Sequence, residues 1–256
     1  MTSLYISWFA YRLFLYSWIV LAVIIFFLLL RITAPYGRHA SKKWGPSIDN
    51  RYGWIIMEAT VLFVLYFIIY PHWHSLSLAS WIMLSLFCFH YFNRAFIFPF
   101  RLHTSDKKMP LIVMVSGIFF NIANGFSFGY YFAYFADYTK TWLFSFPFIS
   151  GVIIFFAGVF INWKADDMLI RIRKPNETHY EIPKKWLFDY ISCPNLFGEL
   201  IEWLGFAILC WNLPACCFFI WTAANLIPRA ISHHKWYKQH FSDYPGKRYA
   251  IIPFLL

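Results

Sequence analysis

The feature that most constrains the fold is an uncharged apolar run, LFLYSWIVLAVIIFFLLL, from Leu13 to Leu30. Its 18 residues are enough to cross the hydrocarbon core of a bilayer as an α-helix. The run lacks a small-residue cleavage site and further apolar runs follow it, so it is expected to be a retained helix, not a signal peptide. Charged residues make up only 13% of the chain, against about 25% in soluble domains. The sequence therefore predicts an integral membrane protein.

Six further apolar segments follow the first one. They are predicted at 52–70, 76–100, 109–136, 142–163, 195–212 and 214–228. Pro214 divides the last long apolar stretch in two, because proline removes a helix hydrogen-bond donor and clashes with the preceding turn. The predicted fold class is all-α: a polytopic membrane protein with seven transmembrane helices, forming a single integral-membrane domain over residues 1–256.

The distribution of basic residues predicts the orientation. Nineteen of the 22 basic residues fall in the segments 31–51, 101–108, 164–194 and 229–256, which seven spans place on the same side. Since cytoplasmic loops are enriched in Lys and Arg, that side is predicted to be cytoplasmic, with the N-terminus outside and the C-terminus in the cytoplasm. This orientation and anionic lipid explain most of the net charge of +10, so no nucleic-acid partner is expected.

Several ionisable side chains lie at membrane depth. They are Glu58, His90, Arg94, Glu199 and Glu202. A charge at the centre of a transmembrane helix costs roughly 2.5–3.5 kcal/mol on insertion scales, so such residues usually face a partner or a cavity. Interhelical hydrogen bonds that fix packing are one interpretation. The number of these residues, on at least three helices and accompanied by Asn121, Asn124 and Asn162, favours a polar cavity between helices.

A second polar set lies near the predicted cytoplasmic side. Arg229, His233 and Tyr237 recur every four residues and so share one helical face, and Asn162 and Asp166 are also one turn apart. Arginine binds phosphate bidentately, which makes the first face a candidate phosphate site. Such a face is equally typical of basic residues that contact lipid headgroups at the membrane surface. The spacing alone leaves both interpretations open. No metal site is expected, because the histidine pairs have no cysteine or carboxylate at a fitting spacing.

A series of motifs identifies a family. They are PYGRH at 35–39, WIIME at 54–58, LFCFHYFNRAF at 86–96, NGFSFGYY at 124–131, INWKADDMLIRIRKP at 161–175, YEIP at 180–183, NLFGELIEWLG at 195–205 and RAISHHKWYKQHFSDYPGKRYAIIPF at 229–254. In this order and spacing they resemble the steroid 5-alpha-reductases (3-oxo-5-alpha-steroid 4-dehydrogenases) over nearly the whole chain. The resemblance implies seven transmembrane helices, NADPH as reductant and a 3-oxo-delta-4 steroid as substrate.

The resemblance also assigns site residues. Glu58 and Tyr91 match the catalytic pair that holds the 3-oxo group, and Met57 and Ser116 are expected near the substrate. The residues that match the cofactor pocket are Tyr36, Arg38, Trp54, Arg94, Asn162, Asp166, Arg173, Tyr180, Asn195, Glu199, Arg229, His233 and Tyr237. The substrate cavity is expected mainly from helices in 13–136, and the NADPH-binding part mainly from 161–256. No G-x-G-x-x-G fingerprint occurs, so helices and loops are expected to bind the cofactor.

The implied chemistry gives both catalytic residues a physical role. Hydride delivery to carbon 5 of the enone places negative charge on the carbon-3 oxygen, and donors at that oxygen stabilise the transition state more than the ground state. Tyr91 is the natural donor. Apolar surroundings favour the neutral form of a carboxyl group, so Glu58 is expected to be a second donor. Water and Tyr91 both remain candidates for protonating carbon 4.

Departures from the family pattern concern the substrate. Animal members tend to carry arginine where this chain has Ser116, and Met57 and Asn225 also replace residues of different character. A steroid or a related enone lipid is therefore expected. The alternatives are an isoprenylcysteine-methyltransferase-like enzyme that uses S-adenosylmethionine, and a non-catalytic seven-helix receptor. The protein is expected to be a monomer, in the endoplasmic reticulum if eukaryotic or the inner membrane if bacterial.

Overall fold

Helices dominate the computed structural model, which describes residues 6–35, 42–102, 107–172 and 180–256. The α-helices of these residues are α1 (Trp8–Arg31), α2 (Asn50–Ile69), α3 (Leu78–Phe92), α4 (Phe98–Arg101), α5 (Leu111–Tyr134), α6 (Phe146–Ile172), α7 (Pro194–Cys210) and α8 (Leu213–His240). A π-helical segment, Asn93–Ile97, joins α3 to α4. Two short strands, β1 (Ser47–Asp49) and β2 (Lys108–Pro110), pair antiparallel with Ser47 opposite Pro110.

Six helices of the described residues are long and apolar enough to cross a membrane. They are Trp8–Arg31, Asn50–Ser75, Leu78–Arg101, Leu111–Tyr134, Phe146–Ile172 and Leu213–His240. The chain is therefore a mainly helical integral membrane protein, as predicted. The remaining predicted span corresponds to α7, which has 17 residues and is largely buried among the other helices. The count of seven spans stays a prediction that depends on α7.

Two helices continue beyond the predicted apolar spans. The fifth span is predicted to end at 163, but α6 continues to Ile172. The last span is predicted to end at 228, and α8 passes through Pro228 and continues to His240, which includes the helical face predicted for Arg229, His233 and Tyr237. Both differences have the same cause, because hydropathy falls where a helix leaves the lipid, while the backbone can continue to form helical hydrogen bonds in a polar environment. The break at Pro214 is confirmed: this proline lies in the first turn of α8, where a missing backbone donor costs little.

Glycines allow α6 and α7 to pack with their backbones in contact. Gly151 and Gly158 of α6 lie against Gly205 and Gly198 of α7, respectively. A methyl group added to Gly158 would overlap the backbone of Glu202, and one added to Gly198 would overlap the backbone of Asn162. Small residues at such interfaces let transmembrane helices approach closely. The two helices are therefore held at a separation that only glycine permits.

The middle of the molecule is an aromatic core around α3. Phe87 is fully buried, and its ring contacts those of Phe128, Trp203 and Phe218 at centroid distances of 4.6, 5.7 and 5.7 Å. One turn later along α3, Tyr91 packs on Phe87 at 4.8 Å. Helix α3 is thus surrounded by α5, α7 and α8, and the polar residues near its end point into the interior.

Candidate active site

A cavity of about 770 Å³ lies between the helices. Its volume falls in the upper part of the range of about 300–1,000 Å³ that is typical of ligand sites. The predicted site residues that line it are Trp54, Met57, Glu58, Tyr91, Arg94, Ser116, Glu199 and Arg229. The structure therefore brings together residues from α2, α3, the π-helical segment, α5, α7 and α8 that lie far apart in the sequence.

The cavity contains the two predicted catalytic residues. Glu58 projects from α2, and Tyr91, which is 3% exposed, projects from α3. Trp203 and Phe218 complete the wall beside Tyr91, with ring centroids 6.1 and 6.4 Å from the Tyr91 ring. A phenol and a carboxyl group thus border the same cavity as these aromatic rings, which suits a largely hydrophobic ligand with one polar end.

The cavity wall also reaches the outer surface of the molecule. Ile112, Val115 and Ser116 of α5 line the cavity and are exposed. The Ser116 hydroxyl donates to the carbonyl of Ile112 at 2.7 Å, within its own helix. Ile112 and Val115 therefore give this side of the cavity an exposed apolar wall.

Arg94 also lines the cavity. It lies in the π-helical segment, and π-helical turns frequently occur at functional sites. Its guanidinium stacks over the rings of Trp54 and Phe98, at 5.2 and 4.7 Å from their centroids. The nearest carboxylate oxygens of Asp166 and Glu199 are 3.9 and 4.0 Å away. These distances exceed hydrogen-bonding range, so Arg94 is held in place by stacking and by charge.

A buried amide network lies behind Arg94. The Asn162 side chain donates to the backbone carbonyl of Asn195 at 2.9 Å, and the Asn195 side chain donates to Asp166 at 3.0 Å. Asn162 and Asp166 belong to α6, whereas Asn195 lies in the first turn of α7. The close packing of α6 on α7 therefore aligns two predicted cofactor residues, Asn162 and Asn195, with Asp166, whose carboxylate faces Arg94.

His90 and Glu202 form a buried pair that the site prediction did not include. Their Nδ1 and Oε1 atoms are 2.7 Å apart, and the side chains are 6% and 1% exposed. His90 lines the cavity, and its ring contacts that of Trp203 at 4.6 Å. The pair links α3 to α7 directly beside Tyr91. Its sequence signal was the presence of both side chains at membrane depth, but their pairing depends on the tertiary fold.

The three residues of the helical face predicted on α8, Arg229, His233 and Tyr237, do not all line the same cavity. Arg229 lines the main cavity, and a small cavity of about 20 Å³ shares Asn225 and Arg229 with it and adds His233. Tyr237 is buried, and neither it nor Tyr180 lines these two cavities. The Tyr180 ring instead packs on that of Trp236 at 5.1 Å. Three predicted cofactor residues, Tyr36, Arg38 and Arg173, lie outside the described residues.

The segment after α8 is fixed by hydrogen bonds around Ser192. Its hydroxyl oxygen lies 2.6 Å from His234 Nδ1, 2.6 Å from the Tyr244 hydroxyl and 3.0 Å from the Tyr249 carbonyl. The carbonyl can only accept, so Ser192 donates to Tyr249 and accepts from the other two. Burial raises the pKa of Tyr244 above its ordinary value, which keeps that phenol protonated and able to donate. Tyr244 in turn stacks on Tyr237 at 5.4 Å, which supports the C-terminal half of α8.

Comparisons with known proteins agree with this architecture. The sequence model of a family described as 3-oxo-5-alpha-steroid 4-dehydrogenase matches residues 107–256. The steroid 5-alpha-reductase of Gossypium hirsutum is 37% identical over 229 residues, covering 88% of this chain and 89% of the relative. The 3-oxo-5-alpha-steroid 4-dehydrogenase 1 of Rattus norvegicus is 36% identical over 227 residues, covering 88% and 87% of the two chains.

A third relative shows higher identity over a shorter range. The 3-oxo-5-alpha-steroid 4-dehydrogenase 2 of Sus scrofa is 41% identical over 174 residues, covering 68% of each chain. These matches confirm the resemblance that the motifs indicated. The chain belongs to the 3-oxo-5-alpha-steroid 4-dehydrogenase family of steroid 5-alpha-reductases.

Proposed function

We propose that this protein is an NADPH-dependent reductase of the delta-4 double bond of 3-oxo-delta-4 steroids, which yields 5-alpha-dihydrosteroids. The observation that carries the proposal is the shared cavity, in which Glu58 and Tyr91 border an apolar space while Arg94 and Arg229 lie on the same walls. The names of the relatives support the reaction class. The test is incubation of purified protein with NADPH and progesterone, and identification of the product by mass spectrometry. Recovery of unreduced steroid at full NADPH occupancy would contradict the proposal.

The residues around the cavity fit NADPH. Arg94 and Arg229 would bind its phosphates, since guanidinium groups match phosphate oxygens in charge and geometry. Asn195, Asp166 and Glu199 provide the amide and carboxylate groups that would hold the carboxamide of the nicotinamide. NADPH, when bound, supplies the hydride. The protein contributes binding, orientation and the electrostatic environment.

Tyr91 and Glu58 act on the steroid. Both line the cavity, where the carbon-3 oxygen of the substrate would lie between them. As negative charge develops on that oxygen, the Tyr91 hydroxyl and a neutral Glu58 carboxyl donate hydrogen bonds to it. Trp203 and Phe218 exclude water from this region, which strengthens both hydrogen bonds. Uptake of a proton at carbon 4 completes the reduction. The wall formed by Ile112 and Val115 suits a substrate that dissolves in lipid.

The membrane arrangement is also a proposal. The proposed chain crosses the membrane seven times, with α7 as one of the spans, and has its N-terminus outside and its C-terminus in the cytoplasm. It acts as a monomer. The location is the endoplasmic reticulum in a eukaryote or the inner membrane in a bacterium. The excess of basic residues in the four segments named above supports the orientation.

Labelling from one side of the membrane tests whether α7 crosses it. Thr139, before α6, and Ser242, after α8, are both exposed. Three crossings separate them if α7 spans the bilayer, and two if it does not. With Thr139→Cys and Ser242→Cys, a membrane-impermeant maleimide is expected to label only Thr139→Cys from outside and only Ser242→Cys from the cytoplasmic side. The unmodified chain measures background labelling of its own cysteines. Labelling of both variants from the same side would exclude the seven-span arrangement.

Cofactor binding tests the role of Arg229. The wild-type protein is expected to bind NADPH at least ten-fold more tightly than NADH, because only NADPH carries the additional 2′-phosphate. Arg229→Ala is expected to weaken NADPH binding by about ten- to a hundred-fold. This change corresponds to the loss of one hydrogen bond to a charged group, which contributes roughly 1.5–3 kcal/mol. Quenching of tryptophan fluorescence measures both dissociation constants.

Arg12→Ala provides the matched control for Arg229→Ala. Arg12 is exposed on α1 and pairs with Tyr16, outside the cavity. Its replacement is expected to leave the dissociation constant of NADPH within two-fold of the wild-type value. S-adenosylmethionine is included as a third ligand, and its binding in place of NADPH would favour a methyltransferase. Equal loss of NADPH affinity in the two arginine variants would remove the assignment of Arg229.

A further inference from the structure

We propose that His90 is the acid that protonates carbon 4 of the steroid, and that Glu202 is a positioning residue that holds the His90 ring and favours its protonated form. The proposal rests on the function proposed above, in which hydride delivery to carbon 5 leaves an enolate that must take up a proton. His90 lines the same cavity as Glu58 and Tyr91. It therefore borders the space in which that enolate would form.

The hydrogen bond to Glu202 determines which ring nitrogen His90 can offer to a ligand. Nδ1 lies 2.7 Å from Glu202 Oε1, so this nitrogen is occupied on the α7 side. Nε2 has no hydrogen-bond partner among the described residues, yet it is not fully enclosed. Because His90 is almost fully buried and lines the cavity, Nε2 is the nitrogen that can meet a bound steroid.

Glu202 gives the His90 ring a reason to carry a proton on both nitrogens. The glutamate is buried, and its Oε2 has no hydrogen-bond partner among the described residues. An ionised carboxylate in such a place is costly unless a positive charge lies beside it. Protonated His90 supplies that charge at hydrogen-bond distance. After the proton on Nε2 has left, Nδ1–H still donates to Glu202 and the ring keeps its orientation.

Other ionisable groups around His90 carry charges of both signs. They are Glu199 of α7, Arg94 of the π-helical segment, Glu58 of α2 and Tyr91 of α3. Arg94 disfavours a second positive charge nearby, but its guanidinium lies 4.0 Å from the Glu199 carboxylate, which offsets this effect. Among the described residues, Glu202 is the one that forms a hydrogen bond with His90.

The choice of His90 as the acid follows from what each candidate leaves behind. Tyr91 would become a phenolate, and a phenol, with a pKa of about 10 in model peptides, is a weaker acid than an imidazolium, with a pKa of about 6.5. Water is restricted by Trp203, whose ring lies 4.6 Å from the His90 ring and 6.1 Å from the Tyr91 ring. Protonated His90 becomes a neutral imidazole when it gives up its proton.

The proton transfer is balanced without a further reagent. The Nε2–H bond of His90 breaks, and a C–H bond forms at carbon 4 with the electron pair of the enolate double bond. The carbonyl group at carbon 3 re-forms, and Tyr91 and Glu58 keep their protons. His90 is left neutral and takes up its next proton from water between turnovers.

The pair also joins α3 to α7, and this packing role is separated by variants that keep the join. His90→Asn keeps an N–H donor at the position of Nδ1 but has no atom in place of Nε2. Glu202→Gln keeps an acceptor for Nδ1–H but removes the negative charge. Tyr138→Phe is the control, because it deletes a hydrogen bond of 2.6 Å to the Cys210 carbonyl of α7, and Tyr138 does not line the cavity. NADPH affinity and melting temperature are measured for each variant.

Reduction of progesterone in D₂O is the first measurement. The wild-type protein is expected to place deuterium on one face of carbon 4, because a fixed acid reaches only that face. His90→Asn is expected to lower turnover by about 100- to 10,000-fold, the usual contribution of general acid catalysis. Its residual product is expected to carry deuterium on both faces, since water then supplies the proton, whereas Tyr138→Phe is expected to match the wild type. NMR of the isolated steroid distinguishes the faces.

Two outcomes of this measurement would overturn the proposal. One is wild-type turnover by His90→Asn, which would leave the pair a packing role alone. The other is slower turnover with deuterium still on one face, because the acid would then lie elsewhere.

The pH dependence of turnover tests Glu202, and it replaces the first measurement if His90→Asn does not fold. A neighbouring negative charge favours the protonated form of an imidazole. Glu202→Gln is therefore expected to lose activity at a lower pH than the wild type between about pH 6 and pH 8, and to recover as the pH is lowered. A loss of the same size at every pH would overturn the proposal. A wild-type protein that binds NADPH but reduces no enone steroid would instead overturn the proposed function, and this inference with it.

Discussion

Tyr91→Phe is expected to lower the single-turnover rate of steroid reduction by about 100- to 1,000-fold, the usual loss when one donor to a developing oxyanion is removed. The substitution deletes only the hydroxyl group. The ring that packs on Phe87 and Trp203 is retained, so the fold and the affinity for NADPH are expected to be preserved. The measurement is oxidation of bound NADPH after mixing with testosterone or progesterone in rapid-mixing spectroscopy.

Glu58 variants complete this experiment. Glu58→Ala is expected to cause a loss of the same order as Tyr91→Phe, whereas Glu58→Gln retains a neutral donor and is expected to be less damaging. Tyr130→Phe is a suitable control, because Tyr130 is a buried tyrosine of α5 that does not line the main cavity. A Tyr91→Phe protein that binds NADPH and reduces the steroid at the wild-type rate would contradict this mechanism. Tyr91 would then contribute only to packing.

Gly158→Leu is expected to prevent correct assembly of α6 on α7. Even the first carbon of a side chain at this position would overlap the backbone of Glu202, and backbone cannot rotate away as a side chain can. Gly158→Ala is the milder form of the same test. Overpacking of this kind typically costs about 1–3 kcal/mol, which corresponds to a melting temperature about 2–12 °C lower for a chain of this size. Thermal unfolding in detergent measures the change.

The same glycine variants are expected to weaken the cofactor site. Moving α6 away from α7 would separate the Asn162 amide from the Asn195 carbonyl, which are now 2.9 Å apart, and would displace Glu202 from His90. The Gly158→Ala protein is therefore expected to bind NADPH less tightly as well as to melt earlier. Gly246→Ala is the control, because a methyl group at Gly246 meets no atom within 4 Å. Equal melting temperatures in Gly158→Ala and Gly246→Ala would show that the helix contact is not required.

The sequence by itself determined that the protein is a helical membrane protein and which ionisable residues lie within its apolar segments. An uncharged run such as Leu13–Leu30 can satisfy its backbone hydrogen bonds in lipid only as a helix, so periodicity and length identify it without tertiary information. Pro214 marks a helix start for an equally local reason. Glu58, Arg94 and Glu199 were identifiable because a charge in an apolar segment is costly enough to require a partner or a cavity. The motifs then added the family, and with it the expectation for Tyr91.

Only the tertiary structure decided which polar residues meet. His90 and Glu202 are 112 positions apart in the sequence, yet their side chains form a buried pair. Arg94 and Asp166 are also distant in the sequence, and their charged groups lie 3.9 Å apart. The ends of α6 and α8 at Ile172 and His240 lie beyond the predicted apolar spans, because hydropathy reports transfer into lipid, whereas a helix continues wherever its backbone hydrogen bonds are made. The α6–α7 contact depends on where glycines of two helices coincide in space.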